Sequence, residues 1–413
     1  MFSRDRRERW RWALPAWTLL ALVSIGCPTR EVSVDGGSGG SGVAGSSGTG
    51  GAAGGDHSGG GGGKAGSAGV GGAAGAAGGS AGAGGLNGVA GSSGGAAGSG
   101  AICSPVCAAS AYCDGSTCKS RVTEFALQDI GARPRYITAG GDGNLWFTDS
   151  AYDKIRRIST TGTINEFVVP TSGSGLGSIT PGPDGNVWFC EENVGQIGRI
   201  TPSGSVVEYP FAPPSSGVAI PAGITAGPDG NLWFTISNGY IGISSPSGVI
   251  SYKPLTTSNA SPEGITQGPD GNVWFLQGAP PASVARMTSA GTITEFAIPT
   301  TDSSPTNIVM GGDGALWFTD PNPNKIGRVT TTGIVTEFTV PTPSSSPGAL
   351  ALGADSDVWF TEGSASALGR IDSSGHVTEF PVPANPYAIA RGADGNLWFT
   401  EQQAGKIGRF LPP

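Results

Sequence analysis

A Trp-Phe pair recurs seven times, with its Trp at 146, 188, 233, 274, 317, 359 and 398. The intervals are 42, 45, 41, 43, 42 and 39 residues. Self-similarity at a period of this size marks a repeat architecture and limits the fold more than any other feature of the chain. A turn of Asp-Gly type precedes each pair, at Asp142-Gly143, Asp184-Gly185, Asp229-Gly230, Asp270-Gly271, Asp313-Gly314, Asp355-Ser356 and Asp394-Gly395. Downstream comes an Ile-Gly-Arg-like segment, as at Ile197-Gly198-Arg199 and Ile326-Gly327-Arg328. A Ser-Gly or Thr-Gly turn then leads into Thr-Glu-Phe, as at Thr294-Glu295-Phe296.

Each repeat thus reads as four short β-runs separated by turn chemistry. In the sixth they fall near 349–353, 357–361, 367–371 and 376–381. Asp-Gly supplies the positive φ that tight hairpins need. Adjacent Trp and Phe point to opposite faces of their strand, so both faces are buried. A radial stack of blades buries sheets in this way, whereas a sandwich leaves one face wet. The pattern predicts an all-β, seven-bladed β-propeller with four-stranded blades over 121–413. Residues 122–127 match a fourth strand yet precede the first full repeat, and the last repeat stops after Ile407-Gly408-Arg409-Phe410. Strand 122–127 should therefore complete the last blade and close the ring, leaving no open edge.

The N-terminal part is of another kind. Of 73 glycines in 413 residues, 32 lie between 36 and 100, among Ala and Ser. Without apolar periodicity, this stretch cannot bury a core, and 28–100 reads as a disordered Gly/Ala/Ser-rich tether. Residues 1–27 have the anatomy of an export signal, with Arg4, Arg6, Arg7, Arg9 and Arg11 before a short apolar run. Gly26-Cys27 resembles a lipobox whose Cys becomes lipidated; ordinary cleaved secretion and an uncleaved anchor are the alternatives. We expect an outer-membrane or cell-surface lipoprotein, held to the membrane by its lipid anchor only. Cys103, Cys107, Cys113 and Cys118 cluster within 101–120 and read as two disulfides, with three connectivities open. Cys190 stands where other repeats carry Thr and reads as a buried free thiol.

A formal net charge of −8 argues against a nucleic-acid partner. A monomer is expected. The inter-repeat segments vary most among the repeats, as in 170–177 and 211–222, and variable loops on a rigid scaffold are where function is found. The chain has two His, His57 in the tether and His376 after a Ser-Gly turn on the other face. Neither suits a triad or a histidine metal site at the ring mouth. Carboxylates remain. Two residues after each Phe stand Asp149, Glu191, Ile236, Gln277, Asp320, Glu362 and Glu401. Five are acidic, and such a ring could hold Mg²⁺ or Ca²⁺ through oxygen ligands. Strand-end acids paired with neighbouring Arg and Lys are the plainer reading.

The repeat written out at Gly223-Ile224-Thr225-Ala226-Gly227-Pro228-Asp229-Gly230-Asn231-Leu232-Trp233-Phe234-Thr235 closely resembles the streptogramin B lyases (virginiamycin B lyases). That resemblance implies a seven-bladed propeller that linearises a cyclic depsipeptide by Mg²⁺-assisted elimination at its ester bond. It also implies a Glu-x-His-Gly-Ile segment at the start of an inner strand and a Glu soon after a later Trp-Phe-Thr. The positions matching the His are Arg135, Gly177, Ala222, Glu263, Thr306, Gly348 and Tyr387, and none is His. Those matching the first Glu are Arg133, Gly175, Ile220, Ser261, Ser304, Ser346 and Asn385, and none is acidic. Only the distal acids Glu191, Glu362 and Glu401 match, with Asp149 and Asp320 as variants. The expectation is a tethered propeller that binds a small-molecule, peptide or glycan ligand at the ring mouth, with Arg135, Glu263, Thr306 and Tyr387 on the ligand face. The alternatives are a Mg²⁺-dependent lyase with Glu263 as candidate catalytic group, and a protein-interaction platform in the envelope.

Overall fold

The computed structural model describes residues 106–115, 117–213, 219–257 and 260–413. Expectations placed on the signal segment, the tether, Cys27 and Cys103 lie outside the described residues. Seven four-stranded antiparallel sheets follow one another along the chain. The second blade runs Leu176–Pro181, Val187–Glu191, Gln196–Ile200 and Val206–Pro210 from inside to outside. The sixth, at Pro347–Leu352, Val358–Glu362, Ala367–Ile371 and Val377–Pro381, lies within two residues of the sequence-derived bounds. The last blade takes its outermost strand from the start of the domain: Val122–Ala126 pairs antiparallel with Lys406–Phe410, Phe125 opposite Ile407. The ring is closed as expected.

The seven first strands line a central channel of about 410 Å³, with Ile137, Ile179, Ile224, Ile265, Ile308, Leu350 and Ile389 on its wall. Behind them each Trp-Phe pair is sealed, no Trp or Phe of the seven pairs being more than 1% exposed. The Phe of one blade meets the Trp of the blade before it, as Phe147 and Trp398 do in one core cluster. The Trp also stacks on an aromatic ring of its own outer strand, Trp146 on Phe167 at 5.5 Å and Trp188 on Tyr209 at 5.4 Å between centroids.

The turn Asp does more than reverse the chain. In every blade its carboxylate accepts the indole N–H of the Trp four residues on, at 2.9–3.3 Å. In six blades an Arg on the third strand lies over the Trp, and in five of them it also reaches that Asp, as Arg199 does with Asp184 and Trp188. The same Arg donates to a carbonyl of the next blade: Arg157 to Pro202 O at 2.9 Å, Arg199 to Pro246 O at 3.0 Å, and Arg409 to Thr160 O across the closure at 3.0 Å. Gly204 turns with φ +93° and lies so close to Phe167 of the preceding blade that a Cβ there would overlap the ring. Only glycine meets both demands.

Before the propeller, Ala111–Asp114 and Thr117–Ser120 form a hairpin. Cys107 and Cys118 are bonded to each other, and Cys113 is disulfide-bonded as well. Cys190 is buried and free, and burial pushes its thiol pKa well up, with Glu192 and Glu191 adding to the effect.

Replacing Asp184 by Ala leaves the buried Trp188 N–H without its acceptor, and we expect a loss of about 1–3 kcal/mol. A lowered urea midpoint with an unchanged m-value checks this; an unshifted midpoint contradicts the anchoring role.

Candidate functional site

The first strand enters each blade at the ring mouth. In five blades its register slips near its start, between Pro134 and Ile137, Leu176 and Ile179, Pro221 and Ile224, Pro262 and Ile265, and Pro347 and Leu350. A bulge frees residues from the ladder and re-aims their side chains. Arg135 and Glu263 sit in two of these slips. In the fifth and seventh blades the strand begins later, at Ile308 and Ile389, so Thr306 and Tyr387 precede it.

Arg135, Glu263 and Thr306 border a cavity of about 300 Å³ at the mouth, lined also by Tyr136, Glu192 and Ser261. Arg135 pairs with Glu192 at 2.7 Å, donates to Leu176 O at 3.3 Å and lies 3.4 Å from the Tyr387 hydroxyl. Burial works against the guanidinium charge, but Tyr136, Tyr387 and Glu192 together outweigh it and raise the Arg135 pKa. The Tyr136 and Tyr387 rings meet edge-on at 5.6 Å. Burial, then Tyr387, pushes the Tyr136 hydroxyl pKa well up. Glu263 is also pushed up, to about 7, chiefly by burial and further by Glu192, against a lowering bond from Ser261. Ser261 holds φ 44°, a left-handed backbone uncommon for a non-glycine residue.

All four ligand-face residues named from sequence therefore gather at the mouth: three line the cavity, and Tyr387 reaches it through Arg135. Glu192 and Tyr136 were not foreseen. Strand alternation was the available signal for Glu192. It follows Glu191 directly and so points the other way.

The five strand-end acids are placed elsewhere. All are fully buried in their blades, and none lines the mouth cavity. Asp149 accepts Arg133 N at 2.9 Å and Arg156 Nε at 3.0 Å, in a network where Arg156 also bonds Asp129 and Glu166. Asp320 takes bonds from Ser303 Oγ at 2.5 Å and Ser304 N at 2.7 Å. Burial pushes the other three up: Glu191 to about 8, with Glu208 and Asp153 adding repulsion, and Glu362 and Glu401 to about 7, with Glu379 and Glu124 as neighbours. Among the described residues, no three His, Cys, Asp or Glu side chains gather as a metal-ligand group. At the mouth, Glu192 already holds Arg135. Mg²⁺ is commonly held by one or two carboxylates with waters completing its shell, and the carboxylates that line the mouth are Glu192 and Glu263. His376 lies with Asp357, Arg370 and Asp372 in a separate small pocket of about 110 Å³.

The fold is a closed seven-bladed propeller with a cavity at the mouth of its ring. The chain belongs to the virginiamycin B lyase family, whose profile matches residues 114–299 and 221–412. A streptogramin B lyase structure is 36% identical over 70% of this chain and 97% of that one, with a TM-score of 0.66. Virginiamycin B lyase from Staphylococcus aureus is 38% identical over 70% of this chain and 99% of its own, also at 0.66. A catalytically inactive form of that lyase with quinupristin matches equally well, at 38% identity and a TM-score of 0.66. No curated protein sequence matches significantly.

The raised carboxyls fix the direction of a pH effect. An acid whose folded pKa lies above its unfolded value near 4.5 favours the folded state at low pH. That advantage is lost as pH rises through the folded value. Stability should fall between pH 5 and 8. Glu191→Gln should raise stability at pH 8 by roughly 2 kcal/mol and leave pH 5 almost unchanged. Urea titrations at both pH values decide this, and an equal effect at both contradicts it.

Proposed function

We propose that this chain is a surface-tethered ligand-binding propeller whose site is the mouth cavity. The observation that carries the reading is the convergence of Arg135, Tyr136, Glu192, Glu263 and Tyr387 on one opening from four different blades. A concave site with a few aimed polar groups among Pro and Ile walls suits a compact, peptide-like molecule. No His stands at a position matching the family's catalytic one, and this supports binding over turnover. The relatives' depsipeptide chemistry suggests the first probe. We further propose that the protein acts as a monomer, with lipidation at Cys27 and the 28–100 tether holding the ring away from a membrane.

A second reading has one observation in its favour. A carboxyl with a pKa near 7 suits a general base at neutral pH, and Glu263 is such a group. It could take the proton α to a carbonyl while the ester C–O bond breaks, leaving an alkene and a carboxylate.

Quinupristin titrated into the purified chain should give saturable heat, and mass spectrometry of the mixture should show intact ligand with or without Mg²⁺. Arg135→Ala should weaken binding at least tenfold. A linear product would replace the binding reading with the lyase reading. Cys27→Ser should release the protein from the membrane fraction; unchanged membrane association would overturn the lipid anchor.

A further inference from the structure

The mouth cavity holds two carboxylates and one cation, and the cation is spent. Arg135 is bound to Glu192 at 2.7 Å and to Leu176 O at 3.3 Å, and its Nε faces Tyr387 at 3.4 Å. Glu263 has no Lys or Arg within ion-pair distance among the described residues, and its nearest charged influence is the like-charged Glu192. Pro221, Ile224, Pro262 and Ile265 form apolar wall beside it. A carboxylate in such a place either keeps its proton or takes a positive partner. Burial accordingly pushes its pKa up, against a lowering bond from Ser261.

Its mounting is rigid. The Glu263 carbonyl accepts the Thr235 hydroxyl of the preceding blade at 2.7 Å. Gly264 N donates to Thr306 O of the following blade at 3.0 Å. A Cβ at Gly223 would come within 2.9 Å of the Glu263 carbonyl, and one at Gly264 within 2.7 Å of Thr306 O. Close approach of the preceding and following blades thus fixes the residue's backbone from both sides. Ser261, in its left-handed conformation, turns the chain into this position. A group held this firmly can recognise one feature of a ligand.

We propose that the ligand of the mouth cavity carries an ammonium group that seats on Glu263. This rests on the binding reading above and narrows it to cationic, peptide-like molecules. An ammonium brings both the missing charge and N–H donors, and charge-assisted bonds are roughly twice as strong as neutral ones. An amide N–H brings a donor without the charge. Arg135 and Glu192, neutralising each other, leave the rest of the opening to uncharged polar contacts.

The test is isothermal calorimetry on the full chain with a panel of dipeptide amides, each as the free amine and as its N-acetyl form, and with quinupristin as reference. The expected result is at least tenfold tighter binding of the free amines. Glu263→Gln should abolish that preference, and Glu263→Asp should keep part of it, with far-UV circular dichroism confirming an unchanged fold. Equal binding of amine and acetyl forms, or a preference that survives Glu263→Gln, overturns the proposal. If quinupristin binds and no dipeptide does, the ammonium preference falls and the mouth site stands. If nothing in the panel binds, both fall.

Discussion

The hydrogen bond from each Trp indole to the Asp of its preceding turn is the interaction on which the ring depends. It fixes the indole edge at the rim of the sheet while the rest of the ring is buried. A buried N–H without an acceptor would cost more than the bond yields, so the Asp does two tasks. Its Asp-Gly geometry makes the hairpin, and its carboxylate orients the largest side chain of the core. The third-strand Arg then joins the same Asp to the next blade, as Arg199 does through Pro246 O. One local turn therefore helps set the seam between blades, and at four of the seams a third-strand Arg carries the link across to a carbonyl of the next blade.

A ring assembled this way leaves its inner strands free to vary where they enter. The register slips at the starts of five first strands lift residues out of pairing without disturbing the Trp-Phe layer behind them. Arg135 and Glu263 stand on two of these slips and come together only because first strands far apart in sequence share one axis. The scaffold is that of the virginiamycin B lyase family, to which the chain belongs. This mouth carries a guanidinium–carboxylate pair, two Tyr, and a Glu without a cationic partner among the described residues.

The strand-end acids show how a small phase difference decides a role. Glu191 and Glu192 are neighbours. One is sealed in the blade beside Glu208 and Asp153, and the other meets Arg135 at the mouth. From sequence, five acids at one repeat position look like a ring of ligands. In the blades each is shut away with its own partners: Arg156 for Asp149, Ser303 and Ser304 for Asp320, and like-charged neighbours for Glu191, Glu362 and Glu401. Equivalence in a repeat places residues on equivalent faces, but it does not bring them to a common point unless that face is the axis.

The sequence by itself determined the blade count, the four strands of each blade and the closure by 122–127, because Trp-Phe spacing and Asp-Gly turns are local signals repeated until they are unmistakable. It also put the variable segments at one end of the strands, the end at which the mouth cavity lies. Only the tertiary structure decided which polar residues meet. The Arg135–Glu192 pair, the reach of Tyr387 across 252 positions of chain and the isolation of Glu263 follow from ring closure and from strand slips. Closure is a long-range condition and a slip is a change of phase, and neither leaves a mark in the local pattern of residues.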